Sequence, residues 1–520
     1  MIIGALKIYK VGGERRYYNI AENFWRLVQG RYAYATGGVG NGEMFRQPYT
    51  QTLSMATNGL QEGEAEANPD INETCCTYNL LKLSRDLNCY NPDDAAYMDY
   101  YEQALYNQIV GSLNPDEYQT CYQYAVGLNA TKPFGNETPQ SSCCGGTGSE
   151  NHTKYQEAAY FASDDNLWVA LYLPTTLNWK AKGVVVKQEC QWPAQSSVIT
   201  IASGKAKFGM KLRVPRWATK GFSVKLNGKE VAKAYVPGSY VEISARKWKK
   251  GDRIEVAMPY VAHVEYGMDK LPADVASADG TQLPSAWVGT IMYGPLAMTG
   301  TGVATWRQAT LTLDSRLSQV KPVASADGVP ALDVAGRTFL PDYYRHENTT
   351  HYYRILTSDI PAELAQSRQS ADLGELRSLL NLAKERQTEQ ERWAALEKKV
   401  PDYAPWAPNG YQRLVDATAK AEQMVAKDAK DLSSDDVEAA SAQLSKAINT
   451  MRPGNLAEVE DLRPLTALLR RAGMPDETTA NALREAIDYG RMVVRYVSDG
   501  SGTQDMISAA VAKLNKVLGN

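Results

Sequence analysis

This chain of 520 residues lacks a surplus of either charge: 56 Lys and Arg stand against 59 Asp and Glu, a net charge of −3. The balance argues against a nucleic-acid binder, which would carry a basic excess to neutralise phosphates. No run of about 18 apolar residues occurs, so no segment reads as a membrane-spanning helix. Cysteine is sparse, seven in the chain, which excludes a disulfide-stapled scaffold. The opening Met1-Ile2-Ile3-Gly4-Ala5-Leu6-Lys7-Ile8-Tyr9 has no basic n-region, no full apolar h-region and no small-residue cleavage site. It reads as the inside of a helix, not as an export signal. Phenylalanine is also rare, 7 against 31 tyrosines. Tyrosine offers flat apolar faces with a polar tip, which suits sugar pockets and wet interfaces alike. What is present is an ordinary globular balance, 44% hydrophobic and 22% charged, over a length sufficient for about three to four domains.

Periodicity divides the chain. Residues 1–164 read as helical: Ile20, Phe24, Leu27 and Val28 recur at helical spacing, as do Tyr97, Tyr100, Tyr101, Ala104, Leu105 and Ile109. Leu80, Leu81, Leu83 and Leu87 recur less regularly, and a fourth helix is expected from about Ser149 to Phe161. Long loops rich in Gly, Asn and Pro separate these helices, and loops of that length are usually functional. Over 165–368 the period becomes two, as in Met210, Leu212 and Val214, with Asn227-Gly228 marking a hairpin within Val224–Val231. Short strands of this kind predict an antiparallel β-sandwich, ending near residue 365. Residues 369–453 and 454–520 read as two diverged helical bundles, each helical run following a Ser/Asp-rich start. The fold class is therefore multidomain α + β.

The cysteines cluster in the sequence. Glu73-Thr74-Cys75-Cys76 opens a helix, and Cys143-Cys144 lies in the loop before another. Three thiols and a carboxylate from two loops can bind zinc tetrahedrally, although the spacing matches no standard zinc-finger pattern. Buried inert thiols or a disulfide are the other readings. Cys89, Cys121 and Cys190 read as structural. The Asn-x-Ser/Thr sites at Asn72, Asn129, Asn136 and Asn348 read as chance matches.

Three motifs occur in a fixed order: Gly37-Gly38-Val39-Gly40-Asn41-Gly42-Glu43-Met44-Phe45, then Glu73-Thr74-Cys75, then Cys143-Cys144-Gly145-Gly146-Thr147-Gly148-Ser149-Glu150-Asn151-His152. Together they resemble glycoside hydrolase families 127 and 146, the zinc-dependent β-L-arabinofuranosidases. Leu212-Arg213-Val214-Pro215-Arg216-Trp217 and Tyr293-Gly294-Pro295-Leu296 look like that family's sandwich domain. The resemblance implies Zn²⁺ held by Glu73, Cys75, Cys143 and Cys144, with Cys143 as nucleophile and Glu43 as general acid/base. It implies retaining hydrolysis of β-linked L-arabinofuranose, or a related sugar, from plant-type oligo- or polysaccharides.

The chemistry is coherent on its own terms. Metal coordination deprotonates a thiol, and a carboxylic acid kept protonated by burial can serve the leaving oxygen and then activate water. Tyr122 and Tyr124 are candidate linings of a sugar pocket, with core packing an equal reading for both; His152 is a candidate contact or orienting group, for which a packed or solvent-facing role is the plainer one. A non-catalytic carbohydrate-binding or surface protein with a structural zinc site, or an inactive fragment, is the alternative.

The resemblance begins at Gly4-Ala5-Leu6, inside the family's (α/α)₆ barrel, and leaves room for only the C-terminal part of that barrel before residue 165. The expectation is an N-terminally truncated relative, with an intact zinc cluster, an incomplete pocket and exposed apolar helix faces that favour association. A periplasmic or extracellular bacterial location would follow from the family if upstream residues supply the signal. The C-terminal helices resemble FIVAR-type repeats and read as spacers.

Overall fold

The computed structural model describes residues 2–45, 51–57, 69–114, 116–117, 119–135, 142–232, 234–271, 283–356, 373–396, 406, 408–427, 432, 434–449, 451, 459–473, 480–498 and 502–519. The chain divides into two units, Met1–Asp359 and Ile360–Asn520.

The first unit opens with helices α1 (Ile2–Gly12), α2 (Arg15–Arg31) and α3 (Gln51–Thr57). Strand β1 (Asp70–Glu73) runs directly into α4 (Thr74–Asn88). Helix α5 (Ala96–Ala104) continues into a π-helical turn, Leu105–Ile109. Three short strands follow, β2 (Leu113–Asn114), β3 (Gln119–Thr120) and β4 (Gln123–Val126), then α6 (Cys143–Glu150) and α7 (Lys154–Glu157). Helix α4 touches α1, α2, α5 and α6. Its Leu80, Leu81, Leu83 and Leu87 are all buried, because a helix apolar on most sides needs neighbours on most sides.

Two expectations are corrected in this region. In α2 the buried stripe is Tyr18, Ala21, Trp25 and Val28, whereas Ile20 is 46% exposed. Both stripes have helical spacing. The buried one places the Trp25 indole against α4, where its N–H donates to Ser84 Oγ at 2.7 Å, and against Tyr97, 4.7 Å between ring centroids. The helix expected over Ser149–Phe161 instead begins at Cys143, passes through a 3₁₀ turn at Asn151–Thr153 and ends at Glu157. Phe161 lies in the strand Tyr160–Ala162, which forms a hairpin with Asn166–Val169.

The β region comprises three larger sheets of four, six and nine strands. The six-stranded sheet contains the hairpin Ser223–Leu226/Lys229–Glu230, turned by Asn227 and Gly228 at φ 49° and 81°, the positive pair that a tight hairpin turn requires. The nine-stranded sheet is built from residues 262–356. Pairing is not wholly antiparallel as expected. Gly209–Leu212 runs parallel to Asn166–Val169, and Thr310–Thr312 parallel to Tyr353–Leu356. Each parallel pair is joined by a long excursion through other strands, the connection that parallel neighbours need. The sandwich end expected near 365 lies outside the described residues. One apolar cluster runs from Leu6 to Ile355 and joins the helices to the sheets.

In the second unit, helices Gly374–Leu396, Pro408–Val425 and Ser434–Asn449 share one apolar cluster. Helices Arg463–Ala472, Asn481–Ser498 and Gln504–Leu518 share another. Among the described residues no helix is long and apolar enough to cross a membrane.

Candidate metal centre

Two helix starts meet at the centre. Glu73 is the last residue of β1 and Cys75 the second of α4, so the strand-to-helix junction presents carboxylate and thiol together. The junction is tied to the chain ahead of β4: Thr74 N donates to Tyr122 O at 3.0 Å and Thr74 Oγ1 to Cys121 O at 2.8 Å. Cys143 and Cys144, expected in a loop, form the first turn of α6. Ser142 explains that start: its Oγ accepts from Gly145 N at 3.0 Å, an N-cap. Gly148 lets α6 close on β3, since a Cβ there would stand 2.7 Å from Thr120 Cγ2. All three thiols thus sit in first turns of helices, where the dipole and free N–H groups favour anionic sulfur.

The four donors converge. Glu73, Cys75, Cys143 and Cys144 present ligand atoms within 4.8 Å of one another. Glu73 Oε1 is 3.4 Å from Cys143 Sγ and 3.7 Å from Cys144 Sγ, and Cys144 Sγ is 3.0 Å from Cys75 Sγ. Cys75 and Cys144 are buried, Glu73 is half-buried and Cys143 is exposed. Thr147, one turn after Cys143, places its Oγ1 3.1 Å from Cys75 Sγ. Its i+4 spacing from Cys143 was the available sequence signal for this contact.

The charge pattern calls for a cation. The hydrogen bond from Cys144 lowers the Cys75 thiol to about 7 despite its burial. Hydrogen bonding to Cys75 in turn raises the Cys143 thiol to about 11 and the Cys144 thiol further. The main electrostatic influences on these thiols are Glu73 and each other's sulfur. Without a cation the cluster therefore favours a thiolate at Cys75 over the other two sulfurs; a divalent ion removes that restriction. These residues fit a metal ion. Cys76 donates to the same carboxylate, its Sγ 3.3 Å from Glu73 Oε2, and burial, then Glu73, pushes its thiol up to about 12. Of the remaining cysteines, Cys121 is buried and Cys190 half-buried, but Cys89 is exposed at the end of α4.

Beside the cluster, Glu43 sits in a turn closed by pairing of Asn41 with Met44, at φ 63°, a conformation uncommon for a residue with a side chain. The Tyr122 hydroxyl donates to Glu43 Oε1. That bond, then desolvation, raises the Tyr122 hydroxyl, and Cys143 and Glu73 act on it too. The burial expected around Glu43 is not present: its side chain is exposed because the turn projects to the surface. The loop below is held by Asp70, which accepts from Tyr34 Oη at 2.6 Å and Asn41 Nδ2 at 2.7 Å. No sequence spacing announced that support. Tyr124 is fully buried, away from any open surface, and donates to Asp342 Oδ2 at 2.5 Å. His152 lies in the 3₁₀ turn, and its side chain falls outside the described residues. Asn72, one of the sequons, is fully buried.

Residues 1–157 match a family model described as the β-L-arabinofuranosidase GH127 catalytic domain, and residues 166–260 match the GH127 middle domain. Over these two stretches the chain is similar to the glycoside hydrolases of family 127. A curated relative, the non-reducing end β-L-arabinofuranosidase of Bifidobacterium longum subsp. longum, is 22% identical over 289 residues, 51% of this chain and 40% of the relative. Two solved GH127 structures share the fold. One, a β-arabinofuranosidase, has a TM-score of 0.53 at 21% identity and matches 68% of this chain and 59% of its own. The other, a β-L-arabinofuranosidase from Geobacillus stearothermophilus T6, has a TM-score of 0.52 at 19% identity over the same shares. The chain thus spans less than two thirds of these GH127 relatives.

Proposed function

We propose that this chain acts as a retaining, zinc-dependent glycoside hydrolase that releases β-linked L-arabinofuranose, or a closely related sugar, from plant-type glycans. The observation that carries the reading is the convergence of Glu73, Cys75, Cys143 and Cys144 within 4.8 Å, with Glu43 and Tyr122 alongside. Three thiolates and a carboxylate suit Zn²⁺ in number and softness. Bound zinc would keep the sulfurs deprotonated at neutral pH.

Cys143 is the exposed thiol of the three, so it is the one a sugar can reach. Its sulfur forms a bond to the anomeric carbon as the glycosidic C–O bond breaks. Glu43 gives its proton to the departing oxygen. Glu43 then takes a proton from water as the water oxygen displaces sulfur, and the net configuration is retained. Tyr122 orients the Glu43 carboxyl through its hydrogen bond, and His152 is an additional candidate sugar contact. The C-terminal helices are spacers in this reading.

One observation favours a second reading. Four protein ligands close a tetrahedral site, the hallmark of structural zinc, which suits a non-catalytic carbohydrate-binding protein. Cys143→Ser separates the two. Purified chain is expected to carry about one zinc, read by elemental analysis. Turnover of p-nitrophenyl β-L-arabinofuranoside should fall roughly 10³-fold or more in the variant. Sugar binding that persists alongside an absence of turnover in both proteins would instead support the binder. A panel of p-nitrophenyl sugars assayed side by side identifies the glycone.

A further inference from the structure

The strand β4 carries both carboxylates of the site, although neither belongs to it. Its Tyr124 lies in register opposite Asn72, with Gln123 opposite Glu73. Asn72 Nδ2 donates to Gly40 O at 2.7 Å, on the loop leading to Glu43. Just ahead of β4, Tyr122 hydrogen-bonds Glu43 through its hydroxyl and Thr74 through its carbonyl. A shift of β4 along β1 would therefore move Glu43 and Glu73 relative to each other.

What holds β4 comes from far along the chain, beyond the matched GH127 domains. Asp342 follows the strand Arg337–Pro341 of the nine-stranded sheet. Its Oδ2 accepts from Tyr124 Oη at 2.5 Å, and its Oδ1 lies 2.9 Å from His351 Nε2 and 3.3 Å from Lys132 Nζ. Lys132 Nζ also donates to the carbonyls of Asp342 at 2.6 Å and Arg345 at 2.9 Å, and it stands 4.7 Å over the Tyr124 ring. The side chains of Lys132, Asp342 and His351 are 0% exposed. Gly111 makes room for the arrangement, since a Cβ there would meet Tyr124 Oη at 2.4 Å. Apolar side chains could fill this volume without the desolvation that buried charges incur. They would not define a single position for a strand, as a carboxylate with three directional partners does.

We infer that Asp342 is a positioning residue for the metal centre: by holding Tyr124 it fixes β4 against β1 and so sets the placement of Glu73 and Glu43. The nine-stranded sheet is then a working part of the catalytic unit. The kinetic consequence rests on the proposed glycosidase reading; the consequence for the metal centre does not.

The test is Asp342→Asn in the full chain, loaded with cobalt(II) as a spectroscopic metal. The folded variant is expected to bind cobalt about tenfold more weakly, as loss of an outer support of a metal site does. Its ligand-field bands should shift, and its kcat on the arabinofuranoside should fall about tenfold or more. Tyr124→Phe, which removes one hydroxyl and keeps the ring over Lys132, should move the same readouts in the same direction. It decides the matter if Asp342→Asn does not fold. Folded variants with a lower melting temperature but unchanged cobalt bands and affinity would overturn the inference and leave Asp342 a stabilising residue only. A wild-type chain that binds cobalt but turns over no arabinofuranoside would refute the glycosidase reading while the cobalt measurements still decide this one.

Discussion

At the scale of single residues, the exposed thiol of the centre is not its most acidic one. Cys143 is the most accessible thiol of the cluster, yet in the metal-free chain its pKa rises to about 11, first through its bond with Cys75. Cys75 is buried and falls to about 7. The exposed thiol thus keeps its proton until a cation relieves the crowding of negative charge. This has a measurable consequence in metal-free protein. At pH 8 a thiol at about 11 holds about a hundredfold less thiolate than one at the usual 9.0, and thiolate is the form that alkylates. Peptide mapping after iodoacetamide treatment should show Cys143 alkylated slowly at pH 8 and progressively faster as pH rises toward 11. Rapid labelling at pH 8 with no further rise would show that Cys75 does not hold the Cys143 proton. The four residues that converge were named in the sequence through the motifs of the family resemblance. The exposure of Glu43 was not legible there, because it depends on a turn whose positive φ no residue type announces.

At the scale of elements, the centre depends on how closely α6 approaches β3 and α4. Gly148 is the position where that approach is tightest, with a substituted Cβ only 2.7–2.9 Å from three atoms of Thr120. Threonine is short and β-branched, so it cannot swing clear, and the helix must move. Gly148→Ala is therefore expected to cost about 1–3 kcal/mol as overpacking. It should also weaken zinc binding about tenfold by displacing Cys143 and Cys144, measured by competition with a chelating dye. Full zinc affinity in a folded Gly148→Ala chain would show that α6 tolerates the shift without moving its first turn. The glycine-rich sequence hid this helix. Glycine lowers helix propensity, so the expected start fell at Ser149, whereas the Ser142 cap and tertiary contact bring it back to Cys143. In α2 the helical period was read correctly, but the face was chosen by Ile20, Phe24 and Leu27, whereas Tyr18, Ala21 and Trp25 are the ones buried.

At the scale of the whole first unit, helices and sheets are joined by polar contacts as well as by apolar packing. The change of period was read in the sequence near residue 165, a few residues after the strand Tyr160–Ala162 begins. The contacts across it were not, because their partners lie more than a hundred residues apart. Asp99 and Glu102 of α5 are buried charges that a helix would not carry unaided. Arg213, fully buried in the strand Lys205–Val214, answers both: Nη1 donates to Asp99, Nη2 to Glu102, and Nε to Ala170 O at 2.6 Å. Trp217 Nε1 adds a 2.8 Å bond to Glu102. Burial pushes both carboxyls up, and Arg213 is the main influence that opposes the rise. Arg213→Met keeps much of the side-chain volume and leaves the two acids without their cation. Removing one partner of a buried ion pair costs about 3–5 kcal/mol. The cost should depend on pH with a defined sign. In the variant both carboxyls sit further above their unfolded values, so the native state takes up protons that the unfolded chain releases. That contribution is fully present below the unfolded values near 4 and is lost as pH rises. Urea unfolding followed by tryptophan fluorescence should show a larger loss of stability at pH 8 than at pH 5. A loss below about 1 kcal/mol, equal at both pH values, would mean that this ion pair contributes little to joining the sheets to the helices.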